Sequence, residues 1–435
     1  MNITQFTMEE VRCFAERQEF NIRPLTFLVG ENSTGKTTAL GCFQVLANYL
    51  TQGEIHFNSD PYSMGVFRDI VRNSRKTERA FKLGFTLRGK NEEVQCIVEF
   101  AEKKGGFEPA VKSITIKVTD SEIVLSVDDV TKGSLRLASF DEERNRYRID
   151  VNSDFSDGTS PFFLLERITD ICEGRSEDEQ ALANYLKKKE KDTGGPWWWI
   201  RENIAVFSTS PIRSRPKRTY DPTRIFDDPE GSDVPMRLME TKATQKKEWE
   251  ALKARLVGFG KRSGLFQNIE VKNFGGPMSN PFQLKVKVRG PNSNIIDVGY
   301  GVSQILPILV QILDPPISLE PVVGPYFFLL QQPEVHLHPR AQAELSSLLA
   351  ILASKGHRSF IVETHSDNMI DRARIEIRKG NIRPEDVSLI YLEPKGRVVK
   401  VHNIRFDKMA NMEGVPPHYG KFFMKEYREL MGFED

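Results

Sequence analysis

Leu25-Thr26-Phe27-Leu28-Val29-Gly30-Glu31-Asn32-Ser33-Thr34-Gly35-Lys36-Thr37-Thr38 is the stretch on which the fold turns. The apolar run 25–29 predicts a buried strand, and 38–49 carries apolar residues at helical spacing, so the glycine-rich turn between them joins a strand to a helix. Residues 30–37 satisfy G-x-x-x-x-G-K-T in full, in the context that motif needs. Glycines let backbone N–H groups turn inward around a β-phosphate, and the helix N-terminus adds its dipole. Lysine reaches the β- and γ-phosphates, and the hydroxyl after it coordinates Mg²⁺. Gly30, Glu31, Asn32, Ser33, Thr34, Gly35, Lys36, Thr37 and Thr38 are therefore the candidate residues for ATP, with Thr37 as a candidate Mg²⁺ ligand.

Outward from this loop, 80–87 and 94–100 flank Gly89-Lys90-Asn91 as in a β-hairpin, and 114–118 and 123–127 alternate in the same way, predicting an antiparallel sheet. The stretch 162–192 reads as helical and is broken by Gly194-Gly195-Pro196 before Trp197-Trp198-Trp199. A second helix, 241–257, carries Trp249, Leu252 and Leu256 on one side. Neither sustains heptads long enough for a coiled-coil arm. The last third returns to buried strands at 325–330 and 359–362, separated by a helix over 340–354. The expected organisation is a parallel core split by an insertion: 1–155 with the phosphate loop and β subdomain, 156–265 mainly helical with a basic loop, and 266–435 completing the core.

With 435 residues the chain can bury a large core, and its formal net charge of +1 gives no global footprint for nucleic acid. Cys13, Cys42, Cys96 and Cys172 are scattered without a C-x-x-C pair, which speaks against a zinc site or a disulfide framework and for a reducing cytoplasm. The first twenty residues lack the apolar core of a secretory signal, and no apolar run has membrane-spanning length. A cytoplasmic protein without membrane contact is the expectation.

Three further motifs carry chemistry. Val298-Gly299-Tyr300-Gly301-Val302-Ser303-Gln304 opens an apolar helix, so that Ser303, Gln304 and the N–H groups near Gly301 could face the γ-phosphate of a nucleotide on another subunit; a plain helix cap is the competing reading. Phe327-Phe328-Leu329-Leu330-Gln331-Gln332-Pro333-Glu334-Val335-His336-Leu337-His338-Pro339 delivers polar side chains at a strand's C-terminal end, the position of a Walker B element. Phe360-Ile361-Val362-Glu363-Thr364-His365-Ser366 ends another strand with a histidine that could sense a γ-phosphate, a solvent-facing histidine being the competing reading. His336 and His338 have no third ligand at a fixed spacing and read as structural or interface residues rather than a metal site. Arg213, Arg215, Lys217 and Arg218 put four cations beside Tyr220, suited to nucleic-acid phosphates or an acidic partner, with a solvated loop as the bland alternative.

This order of motifs resembles the ABC-type ATPase heads of SMC-like DNA-repair proteins and, more closely, the OLD-like ATPases of bacterial anti-phage systems, among them the ATPase subunits of PARIS and Septu. The carriers are the phosphate loop, the G-Y-G-V-S-Q turn, Q-P-E-V-H-L-H-P, E-T-H-S around His365 and the segment 211–220. The resemblance implies an α/β fold of the P-loop ABC type, with an antiparallel β subdomain and a helical insertion. It also implies a homodimer or higher oligomer with ATP at the interface, where Ser303 of one subunit meets ATP held at Lys36 of the other. A glutamine loop is expected near Gly65-Val66-Phe67-Arg68-Asp69, where there is no glutamine to assign.

Gln331-Gln332 departs from the commoner pattern of a Mg²⁺-binding acid followed by a water-activating glutamate. Gln331 is the metal candidate at this strand end, and Gln332, Glu334 and His365 are the candidates for catalysis. An amide coordinates weakly and accepts no proton, so hydrolysis is expected to be slow unless Glu334 takes the role, a structural Glu334 being equally open. OLD-type relatives carry a nuclease with clustered carboxylates after the ATPase. The 96 residues after Pro339 contain no D-x-D, so a separately encoded nuclease effector, with a phage protein as trigger, is the expected partnership. A DNA-repair or DNA-end ATPase is the alternative, set back by the short insertion. A transporter subunit would need an LSGGQ-type signature and an acidic Walker B pair.

Overall fold

A computed structural model describes residues 2–73, 79–89, 93–103, 107–118, the strands within 121–147, 184, 187, 204–223, 225, 228–274, 280–314, 326–417 and 419. The helix expected over 162–192, the tryptophan run 197–199 and Cys172 lie outside these residues, apart from the two helical positions 184 and 187.

The core is a seven-stranded sheet in the order β12 (Ala205–Thr209), β16 (Tyr326–Gln331), β17 (Arg358–Glu363), β3 (Leu25–Gly30), β18 (Val387–Lys395), β19 (Val398–Phe406), β20 (Met412–Glu413). It is parallel from β12 to β18 and antiparallel beyond. Strand β3 is buried at every position, as a parallel strand covered on both faces must be. Strand β12 joins the sheet from within the segment expected as a mainly helical insertion.

An eight-stranded antiparallel sheet forms the second layer, in the order β11 (Asn145–Tyr147), β10 (Ser134–Glu142), β9 (Ser121–Asp129), β8 (Pro109–Val118), β7 (Glu93–Glu102), β6 (Ala80–Arg88), β1 (Asn2–Glu9), β2 (Gln18–Asn21). The expected hairpin is β6–β7, in register from Ala80↔Ala101 to Arg88↔Glu93. Between the sheets runs α1 (Lys36–Gln52), closed by Gly53 in the left-handed region with its N–H on the Tyr49 carbonyl. Phe43 of α1 meets Phe85 of the antiparallel sheet at 4.8 Å between ring centroids and Phe327 of the core sheet at 5.6 Å. Truncating a phenylalanine buried between layers in this way costs about 3–5 kcal/mol.

On the other face of the core sheet lie α3 (Val234–Thr244), α4 (Lys246–Ser263), α5 (Tyr300–Leu313), α6 (Pro339–Ala353) and α7 (Asp367–Arg378). Strand alternation divides the two cores. Phe327, Leu329 and Ile361 pack on the α1 side, whereas Phe328, Leu330, Phe360 and Val362 pack on the helical side. Smaller pieces complete the chain: the pair β4 (Asn58–Ser59) and β5 (Tyr62–Ser63), the short helix α2 (Phe67–Ile70), and a sheet of β13 (Asn268–Asn273), β14 (Phe282–Lys287) and β15 (Ser293–Asn294). The architecture is the α/β P-loop class expected from the sequence. Among the described residues no helix is long and apolar enough to cross a membrane.

Candidate nucleotide-binding site

The loop between β3 and α1 has a backbone that only particular residues permit. Gly30 sits at φ 152°, and a Cβ there would lie 2.7 Å from the Leu392 carbonyl oxygen. Gly35 sits at φ 88°, with a Cβ position 2.8 Å from the Phe14 ring. Thr34 Oγ1 donates to the Glu31 carbonyl at 2.8 Å, and Lys36 Nζ donates to the carbonyls of Gly30 at 2.9 Å and Glu31 at 2.7 Å. The lysine thus arches back over its own loop. Burial lowers its pKa, and Glu363 opposes that. Glu31, Asn32 and Ser33 stand exposed at the rim.

Thr37 Oγ1 faces the Glu363 carboxylate, 3.0 Å from Oε2 and 3.2 Å from Oε1. Thr38 Oγ1 accepts from Arg12 Nη1 at 2.8 Å; Arg12 also donates to the carbonyls of Met64 and Asp69, which belong to the region where a glutamine loop was expected. Arg12, Asn32, Lys36, Thr37, Gln332 and Glu363 are among the residues lining one cleft of ≈ 430 Å³. Mg²⁺ is commonly held by one or two carboxylates together with substrate phosphates. The Thr37 hydroxyl and the Glu363 carboxylate are hard oxygen donors of that kind, and they fit the ion. Among the described residues no cluster of three His, Cys, Asp or Glu forms a metal site without a ligand's help.

At the end of β16, Gln331 is buried and paired in register with Glu363, and its Nε2 has no hydrogen-bond partner. Gln332 takes φ 42° and donates its N–H to the Glu363 carbonyl at 2.8 Å. Glu334 lies outside the cleft lining: its Oε1 accepts the His365 N–H at 2.9 Å, while Oε2 is buried without a hydrogen-bond partner. Burial raises the Glu334 pKa against the pull of that N–H and of Arg213. His365 is exposed, and partial desolvation followed by repulsion from Lys36 holds its pKa down, so it shares the field of the phosphate loop.

The turn at Ser303 packs on this region from the helical side. A Cβ on Gly301 would stand 2.7 Å from the His336 carbonyl, and the Tyr300 ring meets the His336 ring edge-on at 4.7 Å. Ser303 Oγ donates to the Tyr300 carbonyl at 2.9 Å, and Gln304 is buried with Nε2 unpartnered. Ser303 lines a second cavity of ≈ 190 Å³ with Arg215, Lys217 and Pro307; it is not brought to the phosphate loop of its own chain. His338 caps α6, its Nδ1 accepting from the Ala341 N–H at 3.3 Å.

The basic stretch separates into different roles. Arg213 is buried and donates through Nη2 to the carbonyls of Gln331 at 3.2 Å and Gln332 at 3.1 Å, which corrects its expected place among surface cations. Burial pushes its pKa down to about 10, with Glu334 opposing. Arg218 makes a bidentate pair with Asp297. Arg215 and Lys217 remain exposed. Sequence reasoning passed over three cleft residues, Arg12, Cys13 and Glu363. Arg12 stands alone in Val11-Arg12-Cys13 without a motif, whereas Glu363 had a signal, being a charge that ends a buried strand.

Residues 205–371 match the family described as "AAA domain, putative AbiEii toxin, Type IV TA system", a segment that runs from β12 through α5, β16 and β17 into α7. Over 422 residues, 94% of this chain and 69% of the relative, the sequence is 23% identical to a protein of Thermus scotoductus (strain ATCC 700910 / SA-01) named OLD nuclease. Among solved structures, the Smc head bound to the C-winged helix domain of ScpA aligns at 13% identity and TM-score 0.45, covering 94% of this chain and 99% of that one. The Smc head with an extended coiled coil, bound to the C-terminal domain of ScpA derived from Pyrococcus furiosus, aligns at 12% identity and TM-score 0.44, covering 93% and 96%. The phosphate loop, the parallel sheet that carries it and the AAA match together describe a P-loop ATPase related in sequence to OLD nuclease.

Proposed function

We propose that the chain is a cytoplasmic, ATP-dependent switch in a bacterial anti-phage complex, in which two or more copies close around ATP and control a separately encoded effector, a nuclease. The observation that carries this reading is the cleft itself: Lys36 and Thr37 line it, while Gln331 at the end of β16 and Gln332 in the turn after it are amides where two carboxylates are commoner. Such a site holds ATP better than it turns it over. In this reading Ser303 completes the ATP site of a neighbouring subunit, and His365, beside Lys36, senses the γ-phosphate. Glu334 serves as a clamp between the turns after β16 and β17, because Oε1 is engaged by the His365 N–H. The relative named OLD nuclease supports an association with nucleic-acid cleavage, and the toxin-type family description is compatible with a defence role.

The experiment is native mass determination with and without Mg·ATP. The wild type is expected to assemble into a dimer or larger species with ATP, and Lys36→Ala to remain at its nucleotide-free mass. Identical assembly of the two would show that ATP does not build the complex. A DNA-end ATPase is the second reading, favoured by the exposed Arg215 and Lys217 beside the Ser303 cavity.

A further inference from the structure

We propose that Glu363, at the end of β17, supplies the carboxylate that holds Mg²⁺ beside Thr37, where β16 offers only the amide of Gln331. This rests on the ATP-binding reading above and assigns its metal site.

The placement follows from strand geometry. Side chains alternate along β16 and β17, so Gln331 shares the α1-facing side with Phe327 and Leu329, and Glu363 shares it with Ile361. The two strands are parallel and adjacent, with Gln331 opposite Glu363, and β17 also pairs with β3, which feeds the phosphate loop. Glu363 therefore arrives at the first turn of α1, where both its oxygens approach Thr37 Oγ1 at 3.0 and 3.2 Å.

Among the described residues Glu363 is the only carboxylate lining the cleft. Glu334 is turned toward the His365 N–H, and Glu31 stands exposed on the rim, its carbonyl engaged by Lys36. A buried carboxylate is costly unless paired, and here a hydroxyl and the Lys36 ammonium are the compensation. Both would also be neighbours of an incoming phosphate-bound cation. An amide oxygen brings no charge, so the cleft's negative ligand has moved one strand over. A purely structural Glu363, tying β17 to α1 through Thr37, is the competing account.

The test is a fluorescence titration of MANT-ATP binding to the full chain, in EDTA and against increasing Mg²⁺, for wild type, Lys36→Ala, Glu363→Gln and Gln331→Asp/Glu363→Gln. Mg²⁺ is expected to tighten MANT-ATP binding to the wild type. Glu363→Gln should raise the Mg²⁺ half-saturation at least about tenfold, one lost charged ligand being worth about 1.4 kcal/mol or more, with each variant's half-saturation read against its own MANT-ATP affinity in EDTA. Returning a carboxylate to β16 in the double variant should bring the half-saturation back toward wild type. An unchanged half-saturation in Glu363→Gln overturns the proposal, as does a double variant no better than Glu363→Gln. If Lys36→Ala binds MANT-ATP as the wild type does, the ATP reading itself falls. If Lys36→Ala loses binding while Glu363→Gln keeps the wild-type Mg²⁺ response, only the assignment of Glu363 falls. Should Glu363→Gln not fold, Glu363→Asp, which keeps the charge and shortens the reach, is read instead: a raised half-saturation supports the site and an unchanged one overturns it.

Discussion

Gln332 occupies a left-handed backbone position in the turn after β16, pinned by its N–H on the Glu363 carbonyl and by Arg213 on its own carbonyl. Its side chain lines the cleft. A carboxylate at this position could accept a proton from attacking water, a role worth about 10²–10⁴-fold in rate. Gln332→Glu should therefore raise phosphate release at saturating Mg·ATP by about tenfold or more, and a rate that stays level or drops would remove Gln332 as the limit on turnover. The amide pair was legible in the sequence because it breaks a familiar run at a strand end. Arg12 was not, because its place depends on Met64 and Asp69 carbonyls far along the chain. Arg213 shows the limit from the other side, since its spacing among cations suggested a surface and only tertiary packing buries it.

At the scale of elements, α7 begins with Ser366 as N-cap, its Oγ accepting from the Met369 N–H at 3.2 Å and donating to Gln342 Oε1 at 2.7 Å. Asp367 follows in the first turn, where partial desolvation of this exposed side chain pushes its pKa up to about 6, with Asp371 adding repulsion and Tyr419 nearby. Its ordinary value is 3.8, so between about 4 and 6 the unfolded chain has released this proton and the folded chain still holds it. Stability from this group is present below that window and lost as pH rises through it. Urea unfolding should show Asp367→Asn without this falling limb and gaining on the wild type toward pH 7; parallel curves for the two would contradict the assignment. Strand β3 and helix α1 were readable from their residues because period and motif agree. Strand β12 was not, since Ala205-Val206-Phe207-Ser208-Thr209 is short, half-buried and becomes a strand only by pairing with β16.

On the scale of the whole molecule, the surface left to a nucleic acid by the basic loop is small. With Arg213 buried and Arg218 committed to Asp297, Arg215 and Lys217 are the loop's free cations among the four. Arg215→Ala/Lys217→Ala should leave urea stability within about 0.5 kcal/mol, as surface changes do. If the loop grips duplex DNA, the double variant binds more weakly at low salt, and the slope of log K against log salt falls by about one per cation removed. The same affinity and slope in both proteins would return the loop to a solvated role.

The core sheet is interleaved: β3, made first, lies between β17 and β18, which come from the last third of the chain. During synthesis the strand that feeds the phosphate loop leaves the ribosome with neither neighbour available, and it stays so until Arg358 and then Val387 have emerged. Glu363 and the Leu392 backbone, which abut Thr37 and Gly30, arrive on the same late strands. A product that stops short of Val387 therefore carries the complete G-x-x-x-x-G-K-T sequence without the walls that shape it, so the loop takes its final form only after Glu363 and Leu392 have been made.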